Sequence, residues 1–161
     1  TCPCDPASDG GPQAQCVARH TSGGPGAIFA TDGGTFGGED ISSADTTTFV
    51  PAIAVNAYGD AAVGFSASSP DMYAGAFASK RLAGDAPGTF GPTQTIKAGE
   101  DHYLRTFGGT RNRWGDYSGI ALDPSNEKFF WAFNLYAAPR SDEPDIRGED
   151  GRWGTAWGRV K

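Results

Sequence analysis

The chain has 161 residues, of which 24 are Gly and 11 are Pro, while Leu, Ile, Val and Phe together number only 25. Thirteen basic residues against nineteen acidic ones leave a formal charge of −6. No 18-residue apolar run is present, which argues against a membrane span. Glycine lacks the three-residue period of collagen, four Leu without heptads argue against a helical bundle, and an acidic chain lacks the basic stripe that nucleic acid requires.

Residues 1–26 hold Cys, Pro, Gly and Ser without periodicity and read as an irregular arm. The chain starts at Thr1 and shows no charged head followed by an apolar run, so a processed chain or a fragment is expected. Cys2, Cys4 and Cys16 fall within the arm. Early clustered cysteines suggest a secreted protein with one disulfide, Cys4–Cys16 or Cys2–Cys16, since a Cys2–Cys4 ring would be strained. The third thiol is then free to pair with another chain. Two other readings stay open: unpaired thiols, or zinc held by Cys2, Cys4, Cys16 and His20, whose C-x3-H half has a known ligand spacing. Calcium is not indicated, because no D-x-[DN]-x-[DN]-G loop occurs.

From residue 27 onward short apolar stretches alternate with turn residues, the pattern of an all-β chain. Strands are expected at Ala27–Ala30, Phe49–Val55, Ala61–Ser66, Tyr73–Lys80, Thr93–Lys97, Ser118–Leu122, Lys128–Asn134 and Trp153–Val160. Turns are expected at 56–60, 85–88 and 123–126, where Asn, Asp, Gly and Pro gather. The acidic stretch Asp142–Gly151, with Pro144, reads as a long exposed loop.

An internal repeat organises these strands. Ala52-Ile53-Ala54-Val55 resembles Gly119-Ile120-Ala121-Leu122 at an offset of 67. Val63-Gly64-Phe65-Ser66 aligns with Trp131-Ala132-Phe133-Asn134 at 68, and the third strand follows at 80 across the acidic insertion. Upstream, Thr35-Phe36-Gly37-Gly38-Glu39-Asp40-Ile41 echoes the run Thr89-Phe90-Gly91-Pro92-Thr93-Gln94-Thr95-Ile96. The unit has four antiparallel strands, as in a propeller blade. Residues 27–41 then form a partial blade, 49–97 a full one and 117–160 a partial one; a β-sandwich is the alternative. Two to three blades cannot close a ring, so partner chains or a longer parent protein are expected to supply what is missing.

The runs Arg113-Trp114-Gly115-Asp116-Tyr117-Ser118-Gly119, Ala121-Leu122-Asp123-Pro124, Phe130-Trp131-Ala132-Phe133-Asn134 and Trp153-Gly154-Thr155 resemble secreted bacterial sialidase-like, or BNR-repeat, β-propellers. Pro51-Ala52-Ile53-Ala54-Val55-Asn56 and Arg81-Leu82-Ala83-Gly84-Asp85 fit the same group. The resemblance implies an extracellular propeller of more blades than this chain can hold. It also departs from the family: the nearest match to the repeat's S-x-D-x-G-x-T-[WF] box, Ala30–Phe36, lacks the Ser and is one residue short. Sialidase chemistry needs three arginines and a Tyr backed by a Glu, and Arg111, Arg113, Tyr117 and Glu100 do not make a complete set.

Arg111, Arg113, Trp114, Asp116 and Tyr117 form the densest polar and aromatic cluster and the candidate ligand site. One reading is a blade-entry turn, with Gly115 at the bend, Asp116 accepting backbone N–H groups and Trp114 packed between blades. The other is a sugar-binding edge, with Trp114 stacking on a pyranose and Arg113 and Asp116 bonding hydroxyls. Trp131, Trp153 and Trp157 read as core or inter-blade packing. His20 and His102 have no nucleophile at motif spacing, Thr1 sits in a poor context for an N-terminal nucleophile, and the pairs Asp116/Glu100 and Asp142/Glu143 are chance-level candidates for glycoside hydrolysis. The expected function is a noncatalytic extracellular structural or adhesive component. The alternatives are a carbohydrate-binding module and a fragment of a glycoside hydrolase.

Overall fold

Seven strands and no helix make up the described residues, 46–86 and 89–161, of the computed structural model. In chain order they are β1 (Thr47–Val55), β2 (Ala61–Ser69), β3 (Met72–Arg81), β4 (Gln94–Lys97), β5 (Gly119–Leu122), β6 (Phe130–Ala138) and β7 (Arg152–Val160). Each overlaps an expected strand, with β1 starting earlier and β2 and β6 running further than expected, and the turns between them are rich in Gly, Asn and Asp as tight hairpin connections require. The expected strand at 27–30, the partial blade at 27–41, the arm and the cysteines lie outside the described residues.

All strand pairs are antiparallel. The first sheet has the order β1-β2-β3-β4 and the second β5-β6-β7. The expected division into a four-stranded unit and a three-stranded unit is thus the division of the chain into sheets, and neither sheet is closed. Irregularities mark the first sheet's edge. Pro51 has no N–H to give to a ladder, and β1 bulges where Val50 and Pro51 stand between the pairs Phe49↔Ser66 and Ala52↔Gly64. Val50 takes a φ of 51°, a left-handed conformation unusual for a β-branched residue.

The two sheets stack face to face. β5 packs over β1, β6 over β2 and β3, and β7 over β3 and β4. Directions are preserved as well as order. Ala62 meets Phe130 at one end of β2 and Ser66 meets Asn134 further along, so β2 and β6 run the same way. This order-preserving, same-direction stacking is consistent with consecutive blades of a partial propeller and with a β-sandwich.

Close approach demands small side chains, and alternation along each strand supplies them. One face of the first sheet carries Ala54, Ala62, Gly64, Ser66 and Ala78. It packs on Ile120, Leu122, Phe130, Ala132 and Val160 of the second. A Cβ on Gly64 would stand 3.2 Å from that of Ala132. The other face of the first sheet holds Val63, Phe65, Ala67 and Phe77, with the Phe65 and Phe77 rings stacked at 6.1 Å and Met72 and Phe90 packed on them. A third cluster of Phe49, Ala74, Tyr103 and Ala137, joined by Val50 and Trp114, ties both sheets to the segment between β4 and β5.

The register corrects the repeat as read from sequence. Ile53 pairs with Val63, and Ile120 pairs with Ala132. If Ile53 corresponds to Ile120, then Val63 corresponds to Ala132 and not to Trp131. The β5–β6 turn, 123–129, is two residues longer than the β1–β2 turn, 56–60, so the offset moves from 67 to 69. A one-residue slip exchanges the faces of a strand, and the 68-residue alignment had therefore exchanged inward and outward positions.

Adding side-chain volume at Gly64 forces the sheets apart. Gly64→Val is expected to cost about 2 kcal/mol, within the usual cost of overpacking, as measured by urea unfolding. A variant as stable as the parent would show that the close approach does not matter.

Candidate functional site

Residues 98–118 join the two sheets and carry the expected ligand cluster. Trp114 is its anchor. Its ring stands edge-on to Phe49 at 5.8 Å and to Tyr103 at 5.0 Å, and its Nε1 donates to Ser66 Oγ at 3.3 Å. Ser66 Oγ in turn donates to Asn134 Oδ1 at 3.0 Å, and Asn134 Nδ2 donates to the carbonyl of Val50 at 3.2 Å. Ser66 and Asn134 are both buried, and their polar groups are satisfied by each other and by backbone, as burial requires. Trp114 therefore packs between the sheets. Gly115 follows for reasons of space, since a Cβ there would meet Leu135 Cδ1 at 2.7 Å.

Residues 103–113 form a loop held by two side chains. Asn112 accepts the Arg105 N–H at 2.8 Å and donates to the Tyr103 carbonyl at 3.0 Å, while the Arg113 N–H donates to the Arg105 carbonyl at 2.7 Å. Glu149 comes from the acidic stretch. Its carboxylate accepts the N–H groups of Thr106 (3.0 Å) and Phe107 (3.2 Å) and the Thr106 hydroxyl. Only 7 % exposed, Glu149 corrects the expectation that Asp142–Gly151 is simply an exposed loop. Arg105 adds a bond to the Gly151 carbonyl at 2.7 Å and an ion pair with Asp145 at 3.2 Å. These bonds hold Phe107 at a φ of 53°. Strain of that kind survives only where the surroundings impose it.

Phe107 is one wall of a cavity of about 360 Å³. The other aromatic walls are Tyr103, Trp114, Tyr117, Phe133 and Trp153, and the polar lining comes from Arg113, Asp116 and Thr155. Four of the five expected residues, Arg113, Trp114, Asp116 and Tyr117, are thus brought together. Arg111 is exposed and does not line the cavity. Asp116 does not accept the backbone N–H groups expected of a turn aspartate, and its side chain, with those of Arg113 and Tyr117, makes no hydrogen bond or ion pair to described residues. Tyr117 is 80 % exposed.

The cavity opens onto the outer face of the second sheet. With the corrected register, the positions that carry Ala62, Gly64 and Ala78 on the first sheet carry Trp131, Phe133 and Trp157 on the second. Trp153 and Trp157 are 53 % and 70 % exposed, so of the two expected placements, core and inter-blade packing, they do not take the core of the described sheets. Gly119, Ala121, Trp131, Phe133 and Trp157 border an adjoining groove of about 570 Å³. Asp123 fixes Trp131 there. One of its oxygens accepts Trp131 Nε1 at 2.9 Å, the other accepts the Ser125 N–H and hydroxyl, and these bonds hold the carboxyl down to about 2.

Glu100, Asp101 and Asp150 are committed elsewhere. Glu100 pairs with Lys97, and Asp101 takes Arg140 Nε at 2.8 Å. His102 lies between Asp101 and Asp150 at 3.5 and 3.8 Å. Asp116 is the one carboxylate lining the cavity among the described residues, and Glu100 does not join it. No group of three or more His, Cys, Asp or Glu is gathered among the described residues. No helix among them is long and apolar enough to cross a membrane. No family model, curated protein or solved structure matches the chain.

Sequence reasoning missed Glu149, Phe107 and the exposure of Trp153 and Trp157. A Glu within an acidic run gives no sign of burial. Alternation could have found the tryptophans, because Trp153, Thr155 and Trp157 share one face of β7.

Two outcomes follow from this geometry. Trp114→Ala empties the space between Phe49 and Tyr103 and should cost about 3 kcal/mol; unchanged urea unfolding would contradict the packing described. The second concerns pH. Hydrogen bonds from Thr106 hold Glu149 below its ordinary 4.5. The Arg147 N–H does the same for Asp145, and the Ala83 N–H for Asp60, from an ordinary 3.8. Burial pushes Asp101 up, but Arg140 outweighs it and brings it below the same value. The folded chain therefore binds fewer protons than the unfolded chain, and stability rises with pH across this range. Thermal melts should be flat above about pH 5 and fall steadily toward pH 2. A melting temperature that holds or rises on acidification would contradict the assignment.

Proposed function

We propose that the chain is a noncatalytic extracellular component built on sialidase-like propeller blades, and that its adhesive surface is a saccharide site in the Phe107–Trp153 cavity. The observation that carries this reading is the combination of aromatic walls with polar side chains that make no hydrogen bond to other described residues. Sugar rings present apolar C–H faces and hydroxyl edges, and a site for them combines flat apolar side chains with a few placed donors and acceptors. Tyr117, Phe133 and Trp153 offer the faces, and Arg113, Asp116 and Thr155 offer the bonds.

Binding fits this lining better than hydrolysis. Glycoside hydrolysis commonly sets two carboxyl groups across the scissile bond. Here Asp116 has no carboxylate partner in the cavity lining among the described residues. A fragment of a hydrolase, completed by further blades, remains the alternative that turnover of a fluorogenic glycoside would establish.

The test is binding to an oligosaccharide array, followed by titration calorimetry on the best sugar. Trp114 is unsuitable for mutation here because its loss disturbs packing. Trp153→Ala should weaken binding at least tenfold, about 1.4 kcal/mol, with little change in melting temperature. No binding across the array, or binding indifferent to both Trp153→Ala and Arg113→Ala, would remove the reading.

A further inference from the structure

Two of the described residues other than glycine have a left-handed backbone, Val50 at a φ of 51° and Phe107 at 53°. Residues in that region are strained and persist where their surroundings impose it. The fold accounts for Val50. It stands in the β1 bulge, its side chain packs on the cluster of Phe49, Ala74, Tyr103 and Ala137, and its carbonyl accepts Asn134 Nδ2 at 3.2 Å. Phe107 has no such reason. Its ring is 60 % exposed and belongs to none of the buried clusters among the described residues.

The local turn does not call for a phenylalanine either. The Gly109 N–H donates to the Thr106 carbonyl at 3.0 Å, and both central residues, Phe107 and Gly108, have positive φ, 53° and 81°. These are the features of a type I′ turn, whose first central position favours Asn, Asp or Gly because they reach the left-handed region with least strain. A phenylalanine there is strained and buries little. What its ring does is wall the cavity beside Tyr117, Phe133 and Trp153.

The strain is held from outside the turn. Glu149 does not line the cavity, but its carboxylate accepts the N–H groups of Thr106 and Phe107 and the Thr106 hydroxyl, and Thr106 Oγ accepts the Gly108 N–H at 3.2 Å. Glu149 is fixed in turn, because its own N–H donates to Asp145 Oδ1 at 3.1 Å and Asp145 pairs with Arg105. A strained residue at a cavity wall, with a buried carboxylate imposing the strain, is an arrangement that serves the cavity and not the fold. We infer that Phe107 is a ligand-contacting residue, placed by its strained backbone so that the ring meets the bound saccharide, and that Glu149 is the residue that positions it. The inference rests on the saccharide reading of the cavity and adds to it a contact from the 103–113 loop and a control point in the β6–β7 connection.

The test separates stability from binding in Phe107→Asn, using urea unfolding and titration calorimetry with the tightest-binding oligosaccharide from the array. Asn takes this turn position with less strain, so the urea midpoint should equal or exceed that of the parent, as at other sites where function and stability conflict. Affinity should fall at least about tenfold, as when an aromatic contact is lost from a binding site. A lowered midpoint overturns the inference, since Phe107 would then serve the fold, and so does an unchanged affinity. Glu149→Ala should weaken binding as Phe107→Asn does and add nothing to it in the double variant. Glu149→Gln keeps an acceptor for both N–H groups and should restore most of the affinity. Additive losses, or no rescue by Gln, would remove the positioning role of Glu149. Phe107→Asn decides the role of the ring even if Glu149→Ala does not fold. If no oligosaccharide binds the parent chain, the cavity reading falls and this inference with it; if one binds and is indifferent to Phe107→Asn, this inference alone falls.

Discussion

The hydrogen-bonded chain Trp114–Ser66–Asn134–Val50 joins the two sheets to each other and to the segment between them. Trp114 belongs to the segment that carries the cavity, Ser66 to the first sheet, Asn134 to the second and Val50 to the bulge of the edge strand. Ser66 and Asn134 at its centre are buried, so losing one of them strands the other's polar atom without a bond, which costs more than the bond itself contributes. The network also sets register. Ser66 and Asn134 can meet only if Gly64 lies on Ala132 and Ala62 on Phe130, and those contacts are the close-packed interface between the sheets.

That interface explains the composition. Two sheets lying this close require Ala, Gly and Ser on one side, so the chain is rich in small residues where a sandwich of ordinary spacing would use Leu and Val. Burial then falls to a few large rings, Phe49, Phe65, Phe77, Tyr103 and Phe130. The outer face of the second sheet departs from the same logic. Aromatic rings occupy the positions that are small on the first sheet, and that face consequently cannot receive a flat sheet at the same spacing.

The architecture was legible because its signals are local. Alternating short strands, turn residues at 56–60 and 123–126, and the similarity of two strand sets give the sheets and their order. The register between repeats was not legible. It depends on the two extra residues in the 123–129 turn, and sequence similarity at Phe65 and Phe133 favoured the wrong alignment. The cavity was partly legible. Arg113, Trp114, Asp116 and Tyr117 are contiguous and stand out, whereas Phe107, Phe133 and Trp153 join them only through folding. Glu149 was hidden because nothing in an acidic loop distinguishes the one carboxylate that turns inward onto the backbone of Thr106 and Phe107.

The account rests on Ser66 and Asn134 acting as a unit across the sheets, and a double-mutant cycle measures that directly. Urea unfolding of Ser66→Ala, Asn134→Ala and the double variant should give a coupling energy of about 1 kcal/mol or more, as expected for residues sharing one buried network. Additive effects, with a coupling near zero, would contradict the account and mean that the sheets are held in register by apolar packing alone.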